Sequence, residues 1–196
     1  VGYYDSPENV EQYIRMAASY DGKWLIDVLR KHLPAGSRVL ELGMGAGKDL
    51  LMLDEHYQAT GSDLSAVFVE RFRRLHPNID VRLLDAITID TDTRYHGIYT
   101  NKVLHHLTRA ELLTSLERQG QVLETGGIAL HSFWHGDEEG DCHGLRFVYY
   151  SESALRALMG SDYDILDVQR YTEIEPEDSF YIVLRKRLFH SEKTAL

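Results

Sequence analysis

Directly after the short apolar run Val39-Leu40, the segment Glu41-Leu42-Gly43-Met44-Gly45-Ala46-Gly47 sets an acid and then three glycines at alternate positions. Glycine has no Cβ, so such a turn can take positive φ and let a ligand lie against its backbone. The following Lys48-Asp49-Leu50-Leu51-Met52-Leu53 reads as a helix start, whose free N–H groups face whatever rests on the turn. This chemistry suits a nucleoside-type ligand. A second acid, Asp63, closes the run Ala59-Thr60-Gly61-Ser62 about twenty residues further on, the placement that brings a carboxylate to ribose hydroxyls. Its two acceptor oxygens match two vicinal hydroxyl donors. A third, Asp85, ends Val81-Arg82-Leu83-Leu84, and a polar stretch from Asn101 to His106 ends the run that begins at Gly97. Each acid also has a plainer role: Asp63, before Leu64-Ser65, could help cap a helix, and Asp85 could be an ordinary turn acid.

Spacing decides which nucleoside is expected. A dinucleotide fingerprint counted from Gly43 needs its third glycine at position 48, which is a lysine. The pattern that stands, acidic-x-G-x-G-x-G, resembles motif I of the class I S-adenosylmethionine-dependent methyltransferases, and the three later strand ends follow in the family's order. The resemblance extends from about Arg38 to Arg187. It implies that Gly43, Gly45 and Gly47 abut the methionine and ribose portion of the cofactor and that Glu41 serves its amino group. It further implies that Asp63 and Leu64 meet the ribose, Asp85 and Ala86 the adenine edge, and Asn101 the methyl end.

The elements that must position these residues can be read from punctuation and periodicity. Ser6-Pro7 has the form of an N-cap followed by proline at the first helical position, opening a helix through about Ser19. A second helix is expected from Lys23 to Leu33. Strands and helices then alternate: Arg38 to Leu42, Leu50 to Tyr57, Ala59 to Ser62, Ala66 to His76, Val81 to Leu84 and Gly97 to Asn101. Thr108-Arg109-Ala110-Glu111 matches a capping box, with Gly126-Gly127 expected to end that segment and strand Ile128 to Trp134 to follow. Ser151 caps a helix over residues 152–159, and Tyr163 to Tyr171 and Phe180 to Leu188 form a hairpin. Strict βα alternation predicts an α/β fold with a parallel sheet covered on both faces. Together with the resemblance it specifies a Rossmann-like, doubly wound, seven-stranded, mostly parallel sheet with an antiparallel strand in its C-terminal hairpin and an N-terminal helical cover. One domain over residues 1–196 is expected, with residues 1–37 as a lid over the core of residues 38–187.

Acceptor chemistry is less specified. A hydroxyl or protonated amine needs a base, and histidine titrates near neutrality. The candidates are His105 at the end of the fourth strand and His131 and His135 at the end of the fifth, with adjacent His105 and His106 unable to face the same way on a helix. Residues 131–150 read as an acceptor-binding loop, because parallel sheets place ligands beyond the carboxyl ends of their strands. Trp134 and Tyr150 offer it an aromatic wall, as do Tyr13 and Tyr20 in the lid, where Arg15 could clamp a carboxylate. His131, His135, Cys142 and His143 also raise the question of a metal, but their spacing fits no closed zinc pattern, and polar pocket lining is preferred.

Composition narrows the partners. Cys142 is the single cysteine, so neither an internal disulfide nor a multi-cysteine zinc site is possible. A formal net charge of -10 argues against general nucleic-acid binding, which requires clustered cations. No apolar run approaches the roughly 20 residues of a membrane helix, and the first residues resemble no secretory signal. The expectation is a cytoplasmic monomer or homodimer acting on a small molecule. Its competitors are a non-catalytic module that senses S-adenosylmethionine and, behind it, an NAD-dependent oxidoreductase.

Overall fold

In the computed structural model, residues 2–142 and 144–187 are described. In chain order the elements are α1 (Pro7–Met16), α2 (Lys23–His32), β1 (Arg38–Leu42), α3 (Lys48–Asp54), β2 (Gln58–Asp63), α4 (Ala66–Leu75), β3 (Asp80–Leu83) and β4 (Tyr95–Asn101). There follow α5 (Arg109–Val122), β5 (Leu123–Trp134), β6 (Glu139–Cys142), β7 (Leu145–Val148), α6 (Glu152–Met159), β8 (Tyr163–Tyr171) and β9 (Ser179–Lys186). Leu188, with which the last expected strand ends, lies outside the described residues. No helix among the described residues is long and apolar enough to cross a membrane.

The main sheet has seven strands in the order β3-β2-β1-β4-β5-β9-β8. Pairs from β3 through β5 are parallel, whereas β9 runs antiparallel to both β5 and β8. This is the expected seven-stranded, doubly wound sheet. Its strands alternate between two cores, as period-two side chains require when both faces are buried. Leu40, Ile98, Ala129, Phe133, Phe180 and Ile182 pack with Leu112, Leu116 and Leu155 from α5 and α6. On the other face Val39, Tyr99, Leu130 and Tyr181 pack with Leu25, Leu29, Leu50 and Phe72 from α2, α3 and α4.

Local signals account for the helix ends. Ser6 Oγ accepts from Asn9 N at 3.4 Å ahead of Pro7, and Thr108 and Glu111 cap one another's backbone N–H groups at 3.2 and 2.8 Å. Two expectations need correction. Gly126-Gly127 does not end a helix: α5 stops at Val122, Leu123 turns extended, and the glycines sit inside β5. There Gly126 takes φ +75° where the pairing with β4 shifts register between Tyr95 and Gly97, so the glycines serve a bulge. Nor are residues 131–150 a loop. β5 runs on to Trp134, and β6 and β7 form a two-stranded hairpin whose turn is held by Gly144 N donating to Asp141 Oδ1 at 3.0 Å.

Candidate cofactor and acceptor site

The three glycines after β1 have different reasons for being glycine. All take positive φ, +70° at Gly43, +51° at Gly45 and +79° at Gly47. A Cβ at Gly43 would overlap Val103, and one at Gly47 would overlap the Phe72 ring, so both belong to internal packing. At Gly45 the added carbon would meet only Tyr13, at 3.5 Å, so this residue turns its bare backbone toward the Tyr13 side chain and away from the packed core. The neighbouring acid is tied to the same turn. Asp63, at the end of β2, accepts from Gly45 N through Oδ2 at 2.9 Å and from Ser65 N through Oδ1 at 2.8 Å. Burial raises its pKa, and the backbone N–H groups of Ser65 and Gly45 pull the other way. The structure therefore joins the glycine turn and Asp63 in one unit.

Glu41 is buried, and its Oε2 has no hydrogen-bond partner among the described residues. A buried carboxylate oxygen without a donor is costly. Burial, reinforced by the nearby Asp49 and Asp63 carboxylates, raises the Glu41 carboxyl well above the usual range. A cationic amino group brought to this crevice would answer the deficit, so the donor set fits the methionine end of S-adenosylmethionine. Tyr13 on α1 covers the same place. Its hydroxyl is raised first by burial and then by the fields of Asp63, Asp49 and Glu41. Tyr13 packs edge-on against Tyr4 and Phe68, at centroid distances of 5.4 and 5.7 Å.

Asp49 was not singled out from the sequence, yet it organises the centre. Buried in the first turn of α3, it accepts from Gly22 N at 2.7 Å through Oδ1 and from Tyr99 Oη at 2.7 Å and Asn101 Nδ2 at 3.1 Å through Oδ2. An acid in the first turn of a helix is a visible signal; that three distant donors converge on it is not. The cover formed by α1 is fastened from below: Lys48 Nζ donates to the carbonyls of Ala18 and Tyr20 at 2.9 and 2.5 Å, and Ser65 Oγ to that of Tyr4 at 2.6 Å. Arg71 pairs with Glu11 at 3.1 Å. The Tyr20 side chain is half exposed, and its carbonyl is the part the structure holds; Arg15 is exposed.

Beyond β4 and β5 a second cluster forms. Asn101 is clamped from both ends, since Ser132 Oγ donates to its Oδ1 at 2.7 Å while its Nδ2 reaches Asp49. Lys102, also missed from sequence, follows with φ +55°, an uncommon conformation for a residue with a side chain. Its backbone N–H donates to Ser132 Oγ at 2.9 Å, and its Nζ reaches Ser179 Oγ at 2.5 Å and the Phe133 carbonyl at 3.2 Å. Nζ also lies 3.4 Å from the centre of the Trp134 ring and 5.3 Å from that of Tyr171. Burial lowers its pKa to about 7, against the opposing fields of Glu173 and Asp178. Trp24, partly exposed, extends the aromatic surface by packing edge-on to Tyr171 at 4.5 Å. Nothing in a lone Asn-Lys pair announces this arrangement.

Other expected residues are placed differently. His131 shares the face of Ala129 and Phe133, is fully buried, and pairs through Nδ1 with Thr100 Oγ1 at 2.9 Å. Burial lowers its pKa to about 3, which makes it a neutral core residue and corrects the expectation of a base at the crevice. His105 is buried in a 3-10 turn (Leu104–His106) beneath the β6–β7 hairpin, stacked on Phe147 at 5.2 Å. Both its ring nitrogens lack partners among the described residues, and burial, followed by the fields of His106 and Lys102, lowers its pKa well below the usual value. His135 lies past β5, its Nε2 3.6 Å from Glu152. Tyr150 is fully buried against Phe133, under Arg109, and so is a core side chain rather than an exposed wall. Asp85 accepts from Ile87 N at 2.7 Å, as a turn acid does, and Ala86 offers its carbonyl to Ser115 Oγ at 2.6 Å. Leu64 is largely exposed beside Asp63. Among the described residues no three His, Cys, Asp or Glu side chains converge as a metal site would require; His143 and the side chain of Cys142 lie outside them.

Residues 39–127 match the family model of a methyltransferase domain. The fold is similar to that of an S-adenosylmethionine-dependent methyltransferase from Clostridium acetobutylicum, at TM-score 0.73 and 12% identity over 92% of this chain and 98% of that one. It is also similar to the 1,6-didemethyltoxoflavin-N1-methyltransferase of Burkholderia thailandensis, solved with bound 1,6-didemethyltoxoflavin and S-adenosylhomocysteine, at TM-score 0.72 and 20% identity over 93% and 91% of the two chains. A third is the N-methyltransferase NodS of Bradyrhizobium japonicum in complex with S-adenosyl-L-homocysteine, at TM-score 0.67 and 18% identity over 90% and 98%. No match was found among curated proteins. Sheet order and glycine turn thus define the class I methyltransferase fold. The glycine turn lies within residues 39–127, the part that the methyltransferase-domain model matches.

Proposed function

We propose that this protein transfers a methyl group from S-adenosylmethionine to a small-molecule acceptor, with S-adenosylhomocysteine as product. The observation that carries this is Glu41: a buried carboxyl, two residues before the glycine turn, with one oxygen that has no partner among the described residues. Under this reading Glu41 takes the amino group of the methionine portion, Gly43, Gly45 and Gly47 shape its floor, and Asp63 with Leu64 holds the ribose. Asp85 and Ala86 serve the adenine edge, and Asn101 stands at the methyl end, its amide oriented by Asp49 and Ser132. S-adenosylmethionine supplies a methyl group on a positively charged sulfur, an already activated carbon.

The chain's own work is then to exclude water and to align an acceptor. Tyr13 closes over the turn, held there by the Lys48 and Ser65 contacts to the cover. The acceptor sits between that cover and the ends of β4 and β5, where Trp134 and Tyr171 give it an aromatic wall, with Tyr20 at the rim. A formal net charge of -10 favours a small molecule over a polyanion. The N-methyltransferases of like fold support a nitrogen acceptor. The expected setting is the cytoplasm, where a chain with one cysteine needs no disulfide, and the expected assembly is a monomer or homodimer.

Calorimetric titration tests the reading. S-adenosylhomocysteine should bind one site per chain and NAD should not. NAD binding without S-adenosylhomocysteine binding would overturn the assignment. A metabolite screen for cofactor-dependent methylation then separates an enzyme from a module that only senses the cofactor.

A further inference from the structure

Methyl transfer to a hydroxyl or a protonated amine releases a proton, and two of the three histidines expected to receive it are closed in: His131 is sealed in the core and His105 lies beneath the hairpin. Lys102 offers another destination. It follows Asn101 directly at the end of β4, and among the described residues its Nζ is met by a hydroxyl, a carbonyl and two aromatic faces rather than by a carboxylate. On the reading of this crevice as a methyl-transfer site, we propose that Lys102 Nζ is the base that accepts the proton of the methyl acceptor.

The surroundings serve both states of the amine. Uncharged, Nζ can donate its two hydrogens to Ser179 Oγ and the Phe133 carbonyl and keep its lone pair for the incoming proton; protonated, the cation is further stabilised by the Trp134 face. Glu173 and Asp178, in the turn between β8 and β9, favour the charged form, while the Lys102 charge helps burial to keep the nearby His105 neutral. Burial outweighs the acids, and the resulting value of about 7 suits a base working at neutrality. The positive φ at Lys102 and the bond from its backbone to Ser132 fix the side chain's origin at the strand end. In the step itself the acceptor's lone pair bonds to the methyl carbon as the carbon–sulfur bond breaks. The sulfur leaves as a neutral thioether, and the acceptor's proton passes to Nζ and on to solvent.

Competitive labelling of the full chain with acetic anhydride, with S-adenosylhomocysteine bound, reads this directly by peptide mass spectrometry across pH. Half-maximal reactivity at Lys102 should fall near pH 7, well below the value of about 10.4 of a lysine model peptide labelled in the same tube. A midpoint above about 9 at Lys102, or no labelling at any pH, overturns the proposal, since the amine would then be protonated at neutrality or out of an acceptor's reach. On an acceptor returned by the metabolite screen, Lys102→Met should lower kcat ~100-fold and remove the acid limb of its pH profile, with Lys102→Arg failing to rescue it. Unchanged kcat in Lys102→Met contradicts the role. Calorimetry on the same samples separates the two readings: failure of the unaltered protein to bind S-adenosylhomocysteine sinks the methyl-transfer site, whereas normal binding with an ordinary Lys102 sinks the base alone.

Discussion

The two halves of the crevice are built by different means. Around β1 and β2 the site is backbone: a glycine turn, Asp63 bonded to the N–H groups of Gly45 and Ser65, and Glu41 buried behind it. Around β4, β5 and the β8–β9 turn it is side chains meeting from remote segments, with Asn101 held by Asp49 and Ser132, and Lys102 held by Ser179 and Trp134. A backbone site demands particular residues at particular spacings. A side-chain site demands only that distant residues arrive together, and can be rebuilt for another acceptor without disturbing the first half.

Substitutions can break or sharpen that contrast. The largest effect is expected within the turn itself: Gly47→Val combines a strained φ of +79° with a collision against Phe72, and should cost roughly 3 kcal/mol or more by urea denaturation. Gly45→Ala meets only Tyr13 and should cost about 1–2 kcal/mol, for its left-handed backbone alone. Equal losses would mean that the two glycines do not divide the work as described. Next, Asp63→Ala should weaken S-adenosylhomocysteine binding on the order of 100-fold by calorimetry, because the bonds to the turn and, on the proposed reading, those to the ribose are lost together. Asn101→Ala, in the other half, should leave that affinity within about threefold and lower kcat roughly 10-fold or more; the opposite pattern would erase the distinction between the halves.

His131 supplies a prediction in pH. Its folded pKa of about 3 lies below the unfolded value, so the unfolded chain binds the extra proton between about pH 6.5 and pH 3. Stability from this group is therefore complete above pH 6.5 and falls with acidification, by at most about 1.4 kcal/mol per pH unit. His131→Asn should flatten that part of the stability profile. An unchanged slope would show that the imidazole is not held neutral. The smallest effect belongs to the cover: Lys48→Met releases two carbonyls on the segment after α1 and should speed S-adenosylhomocysteine dissociation in stopped flow while barely shifting the melting temperature.

The same contrast governs what could be read from sequence. Alternating strands and helices, the capping box at Thr108 and the hairpin of β8 and β9 are local or periodic signals, and the sheet follows them. The pairing of Gly126-Gly127 with a bulge was not legible, because two glycines punctuate a helix end as readily as a strand irregularity. The β6–β7 hairpin was hidden by the polar Glu138-Glu139-Gly140-Asp141, which reads as loop. Strand parity explains His131, since a one-residue step turns a side chain from one core to the other. Asp49 and Lys102 draw their importance from burial and from partners up to 77 positions away, and no spacing encodes that.

The most direct measurement is a crystal structure of the protein with S-adenosylhomocysteine. It should show the ligand over Gly45, its ribose on Asp63 and its amino group within hydrogen-bond reach of the Glu41 carboxylate, under Tyr13. Density for the ligand elsewhere, or a Glu41 Oε2 still without a partner in the complex, would contradict the account.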